Sequence, residues 1–168
     1  LMSLVAEIRV ASEHVGHHLE NLMVAGFASH GYNILGREQN SFKGKKWEFS
    51  EHDLDIIIEK DNIHYGVEIK NTLSYMDKKE LNIKTEMCKY LGLLPVFVNR
   101  FSPTTWINEL RRDHNGFTLI LKYQIHPTSH AELVKKMLER GISAGCPKWI
   151  EDGTIDRFTN NYHVKHVI

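Results

Sequence analysis

The stretch HDLDIIIEKDNIHYGVEIKN, residues 52 to 71, places charged side chains where two apolar runs begin and end. Asp53 and Asp55 open the run Ile56-Ile57-Ile58, and Glu68 and Lys70 lie at the end of the run that starts at Tyr65. A charge on a buried strand is costly unless something pairs with it. Asp61-Asn62 suits a two-residue hairpin turn, because Asp and Asn tolerate positive φ. That turn sets Lys60 opposite Ile63 and, counting outward, Asp55 opposite Glu68 and Asp53 opposite Lys70. Directly opposed residues share a face, with Cβ atoms about 4.5–5.5 Å apart, and Glu68 and Lys70, two apart, share it as well. All four charges are therefore expected on one patch, with Leu54, Ile56, Ile58, Val67 and Ile69 packing the other side.

Two carboxylates opposed across a ladder repel each other. A divalent cation between them turns the repulsion into binding. Oxygen-only ligands suit a hard ion such as Mg²⁺, which takes one or two carboxylates and keeps several waters. Lys70 beside them has the chemistry to orient or deprotonate a water, or to stabilise charge on a phosphate. Asp53 is expected to hold Lys70 in an ion pair. The plain alternative is a solvated sheet face laced with cross-strand ion pairs.

The elements that position these residues follow from periodicity. Leu4, Ile8, Val15, Leu19, Leu22, Met23 and Phe27 recur at helical steps from Leu4 to Ser29. Gly31 ends that helix and a strand begins at Tyr32. A polar loop, GREQNSFKGKKWEFSEH, leads into strands Leu54–Glu59 and Ile63–Asn71. Asp77 to Leu91 reads as a second helix, with Leu81, Lys84, Cys88 and Leu91 in near-register, and LPVFVN as a buried strand. SPTTWINELRRDHNG has Ser102 as N-cap, Pro103 in the first helical position and Gly116 past the end. FTLILKYQI is a fifth strand, SHAELVKKMLERG a short helix, and residues 142–168 show no period. The expected fold is α/β: a central mixed sheet of four to five strands, the first helix on one side and the second on the other. One domain, 1–168, is expected, with its core at about 12–125 and a C-terminal extension at about 126–168.

An acidic residue opening an apolar strand, a hairpin, and Glu-x-Lys ending the next strand resemble the PD-(D/E)XK nuclease superfamily, which includes restriction endonucleases and Holliday-junction resolvases. The likeness runs from residue 14 to about 101. HVGHHLENLMVAGFASHGYNIL resembles the first helix of that family and LGLLPVFVNRF its later buried strand. Leu54 stands where the eponymous proline would be. The resemblance implies a restriction-endonuclease-like three-layer core and Mg²⁺-dependent hydrolysis of DNA phosphodiesters, Mn²⁺ being a possible substitute. Asp55, Glu68 and the Ile69 carbonyl would hold the ion, Lys70 would be the catalytic lysine, and Glu20 would assist. Glu20 also borders a buried helix face, since Met23, Val24 and Phe27 lie three, four and seven residues on. One such site cuts one strand, so a double-strand cut implies a homodimer. A non-catalytic nucleic-acid-binding or interaction protein of the same fold is the alternative.

Charge and composition bound these readings. The 168 residues carry no net charge, so DNA would have to meet a local basic surface. Lys43, Lys45 and Lys46, with Trp47 among them, lie in the loop that feeds into Asp53 and Asp55, where a phosphate backbone would dock. Lys84 is expected to add to this footprint from the second helix, and Arg100, Arg111 and Arg112 to extend it. FKGKKW lacks the spacing of a P-loop. His14 and His18, and His163-x-x-His166, do not have structural-zinc spacing, and HExxH is missing. No apolar run is long enough to span a bilayer. Two cysteines without a CxxC suit a reducing, cytoplasmic setting.

Overall fold

A computed structural model describes residues 3–167, with side chains to residue 165. Among the described residues nine strands run in chain order: β1 (Asn33–Gln39), β2 (Ser41–Phe42), β3 (Lys45–Lys46), β4 (Leu54–Lys60), β5 (Ile63–Lys70), β6 (Leu94–Asn99), β7 (Phe117–Ile120), β8 (Gln124–Ile125) and β9 (Ala144–Gly145). The α-helices are α1 (Leu4–Ser12), α2 (Gly16–Ser29), α3 (Lys78–Leu91), α4 (Thr104–His114), α5 (Ala131–Glu139) and α6 (Asp152–Phe158), and a π-helical segment follows at Thr159–Val167. Five strands form a mixed sheet in the order β1-β4-β5-β6-β7. β1, β4 and β5 pair antiparallel, while β5, β6 and β7 pair parallel.

The hairpin forms as its turn chemistry requires. Asp61 and Asn62 both take positive φ, 53° and 63°, and Lys60 pairs with Ile63, the register running back to Ile56 opposite Val67. Alternation then sorts the side chains between two faces. Ile56, Ile58, Val67, Ile69, Val96, Val98 and Leu119 pack with Leu19, Met23 and Phe27 of α2 on one face. On the other, Ile57 meets Met87, Cys88 and Leu91 of α3, and Phe97 meets Leu81 of α3 and Leu110 of α4. The result is a three-layer α/β core.

Four local expectations are corrected. The first helix is two, because the chain turns at residues 13–15; α1 then packs on α5 while α2 follows the sheet. Pro103, extended at ψ 139°, takes the cap position expected of Ser102, while Gly116 lies past the end of α4 as expected, after the left-handed Asn115. FTLILKYQI is not one strand: β7 stops at Ile120, and β8 leaves the main sheet to pair with β9. The C-terminal stretch is no appendage, since Ile150, Ile155, Phe158 and Tyr162 complete the core on the α2 face.

Candidate active site

The β4–β5 ladder stops at Ile56 opposite Val67, and the charged residues gather where it opens. Leu54 is the cause. Instead of lying with Ile56 and Ile58, it packs into the α3-side cluster beside Ile57, so alternation breaks across Asp55. No ladder rung therefore joins Asp55 to Glu68. Asp55 Oδ2 instead accepts a hydrogen bond from the Ile69 N–H at 2.7 Å, satisfying a donor the shortened ladder leaves over.

Glu68 sits on the α3 face, only 4% exposed. Its Oε2 lies 3.1 Å from the Lys84 ammonium of α3, yet has no partner in hydrogen-bond geometry. Lys84 also donates to the Asp53 carbonyl. Burial, reinforced by the charge of Asp55, pushes the Glu68 carboxyl up to about 8 against the opposing pull of Lys84 and Lys70. Asp55 is raised too, by burial first and by Glu20, while the Ile69 N–H, Lys84 and Lys70 oppose the shift. These couplings place Glu20, Asp55, Glu68, Lys70 and Lys84 within one electrostatic neighbourhood.

Lys70 reaches Glu80 in the first turn of α3, at 3.0 Å. Burial pulls its pKa down, but Glu80, Glu68 and Asp55 outweigh that and hold it above the ordinary lysine value. The expected Asp53–Lys70 pair does not form. Asp53 precedes β4 and is exposed, and Glu80 offers Lys70 a closer carboxylate.

Glu20 is buried on α2, as its place beside Met23 and Phe27 requires. Its Oε1 accepts from Arg37 of β1, from Nε at 3.2 Å and Nη2 at 2.9 Å. His17 Nδ1 stands 3.5 Å from Oε2. His17, Glu20 and Glu38 can bring one ligand atom each to within 4.8 Å of one another. That is the three-ligand grouping found among the described residues, and Asp55 and Glu68 are not in it.

The basic residues divide. Lys43, Lys45 and Lys46 are exposed on and beside the β2–β3 hairpin, and Lys46 lines a surface depression with Asp53. Lys84, expected to contact nucleic acid, is instead 6% exposed and held by Glu68. Its near-register with Leu81, Cys88 and Leu91 already put it on the buried face of α3. Arg100 donates to the Leu121 carbonyl at 3.0 Å, and Arg112 pairs with Asp113. Glu80 and Arg37 were not singled out from the sequence. Arg37 stood in what read as loop, where no face can be assigned, and Glu80 is an ordinary acidic residue of a helix's first turn.

The two histidines of His163-x-x-His166 fare differently. His163 is buried, hydrogen bonded to Tyr65 Oη at 2.6 Å and Asp61 at 2.7 Å, while the side chain of His166 lies outside the described residues. Among the described residues no helix is long and apolar enough to cross a membrane. No protein-family model matches the chain, and no curated protein matches it.

Proposed function

We propose that this protein is a divalent-metal-dependent nuclease that hydrolyses DNA phosphodiester bonds, as its resemblance to the PD-(D/E)XK superfamily implies. The observation that carries this reading is Glu68. It is a buried carboxylate beside a second one, Asp55, and the Lys84 ammonium at 3.1 Å offsets only part of their negative charge, which favours a further cation there. An all-oxygen pair suits Mg²⁺, or Mn²⁺ in its place. Asp55, Glu68 and the Ile69 carbonyl would hold the ion. When bound, it supplies Lewis-acid polarisation of a phosphoryl oxygen and a lowered pKa for a water.

The chain's own side chains have separable tasks. Lys70, held protonated by Glu80, Glu68 and Asp55, donates hydrogen bonds that position the phosphate and the attacking water; it is not a base in this state. Lys84 fixes the orientation of Glu68 and ties it to the backbone at Asp53. Glu20, anchored by Arg37, adds negative potential beside Asp55. Lys43, Lys45 and Lys46 offer the exposed cations for the DNA backbone. Cutting both strands would take two copies of the chain.

The test is an assay over linear, nicked, branched and single-stranded DNA with Mg²⁺ or Mn²⁺. Asp55→Asn and Glu68→Gln are expected to lower turnover by roughly 10²-fold or more, as loss of one electrostatic group at a reacting centre does, with the fold retained by circular dichroism. Wild-type turnover in either variant would sink the assignment. A second reading, a non-catalytic nucleic-acid-binding protein of the same fold, is favoured by the Lys84–Glu68 ion pair, which already supplies Glu68 with a positive charge. Calorimetric titration with Mn²⁺ separates the two, since only the nuclease reading expects binding that Glu68→Gln abolishes.

A further inference from the structure

The loop between β3 and β4 ends at the acidic site, and it begins with a feature the cleavage chemistry does not use. Phe49 is 72% exposed. Its ring centroid lies 4.9 Å from that of Trp47 and 5.4 Å from that of Tyr90, and Trp47 and Tyr90 are 5.7 Å apart. The trio is held in place. Trp47 donates its indole N–H to Ser50 Oγ at 2.8 Å and its backbone N–H to the Asn40 carbonyl at 2.7 Å, while Tyr90 belongs to the last turn of α3. Three rings are thus fixed in mutual contact, and the outermost leaves most of its surface in water.

Cations surround them. Lys45 Nζ stands 5.7 Å from the Tyr90 ring centroid and 3.4 Å from its carbonyl, and Lys45 and Lys89 line one depression with the three rings. A second depression shares Trp47 and Phe49 and runs past Lys46 to Asp53, whose carbonyl holds Lys84 and so adjoins Glu68. At the rings themselves Lys45 and Lys89 face one acid, Glu86, while the second depression sets Lys46 beside Glu48, Glu51 and Asp53. From this arrangement we infer that Trp47, Phe49 and Tyr90 form a stacking platform for unpaired bases of a DNA strand, whose backbone meets Lys45 and Lys89 at the rings and Lys46 on the way to the acidic site.

The chemistry selects this occupant. Aromatic faces bind any base, because every base has a π-face, and lysines bind the phosphates between them. Bases inside a duplex are stacked on each other and present no face to Phe49. The platform therefore favours single-stranded or locally opened DNA. The direction toward Asp55 and Glu68 rests on the nuclease reading; the binding itself does not.

The test uses the full chain in a chelator, so that binding is read without cleavage. Fluorescence anisotropy of a labelled oligothymidylate and of a duplex of equal length should show preference for the single strand. Phe49→Ala should weaken the oligothymidylate complex by about 5- to 150-fold, the range expected for one base-aromatic stack, and Phe49→Trp should restore it. No oligothymidylate binding, equal affinity for the duplex, or an unchanged affinity in Phe49→Ala would overturn the proposal. So would sedimentation showing that Phe49→Ala dissociates a dimer of this chain, since the patch would then be a subunit contact. Phe49-dependent binding with no Mg²⁺-dependent cleavage would leave this inference standing and remove the nuclease reading. Asp55-dependent cleavage with no role for Phe49 would do the reverse.

Discussion

At the scale of residues, the Glu68 carboxyl titrates near 8 because burial strips its water and Asp55 adds a second negative charge, which Lys84 and Lys70 offset only in part. In the unfolded chain the same group returns to its ordinary value of 4.5. Between those two values the folded protein binds the extra proton, so the metal-free fold is favoured at the acidic end. This contribution is lost as pH rises through about 8, at up to about 1.4 kcal/mol per pH unit. Urea denaturation in a chelator, compared at several pH values across this window, should show stability falling with pH in the wild type and a flatter profile in Glu68→Gln. Equal profiles would mean that Glu68 is not the group responsible. A bound cation has the opposite dependence, because its ligands must be deprotonated; affinity for Mn²⁺ should rise over the same range. Lys70 belongs to the other class of charge, held protonated by three carboxylates, which is why its role is positioning.

At the scale of elements, the site depends on how closely α3 approaches the β4–β5 hairpin. Gly66 allows it: a Cβ at that position would lie 2.5 Å from Cys88 Sγ and 2.9 Å from Leu54 Cδ1. The same approach carries Lys84, one turn before Cys88, to Glu68, two residues after Gly66. Gly66→Ala is therefore expected to destabilise the fold by roughly 1–3 kcal/mol through overpacking. Combined with Cys88→Ala it should cost less than the sum of the two single changes, since the second change makes room for the first. A double-mutant cycle by urea denaturation checks this, and additivity would show that α3 shifts freely. The hairpin itself was legible, because Asp61 and Asn62 accept positive φ and settle the register locally. Its far end was not: whether Leu54 stays with Ile56 or crosses to Met87 and Cys88 depends on α3, which the local sequence does not contain.

At the scale of the whole molecule, the last part of the chain closes the α2 side of the core. Phe158 is fully buried among Phe27, Tyr65 and Phe117, with ring centroids 6.0, 5.2 and 5.6 Å away. Tyr162 stacks on Phe117 and donates to the Asn115 carbonyl. His163 ties Tyr65 to Asp61 of the hairpin turn. Phe158→Ala should cost about 3–5 kcal/mol, the range for removing a buried aromatic ring, and its urea midpoint should fall accordingly. A change below about 1 kcal/mol would return residues 150–165 to the status of an extension. The lack of a period in this stretch hid its importance. Its core residues are divided between the short α6, which carries Ile155 and Phe158, and the π-helical segment, which carries Tyr162, so no single helical period runs through them.

What the sequence by itself determined is what short-range torsional preference and apolar alternation encode: the Asp61-Asn62 turn, the faces of β4 and β5 from Ile56 to Ile69, the left-handed Gly92 that ends α3, and the α/β class of the fold. These depend on neighbours a few residues apart, so one sequence read locally contains them. The tertiary structure decided the partners. Glu80 rather than Asp53 holds Lys70, Lys84 goes to Glu68 rather than to the surface, and Arg37 clasps Glu20. Each of these pairs joins residues brought together by packing of separate elements, and many sequences with the same periodicity would pair their charges differently. A carboxylate's spacing along a strand states where it can point. Which cation it meets is settled only when α2 and α3 close on the two faces of the sheet.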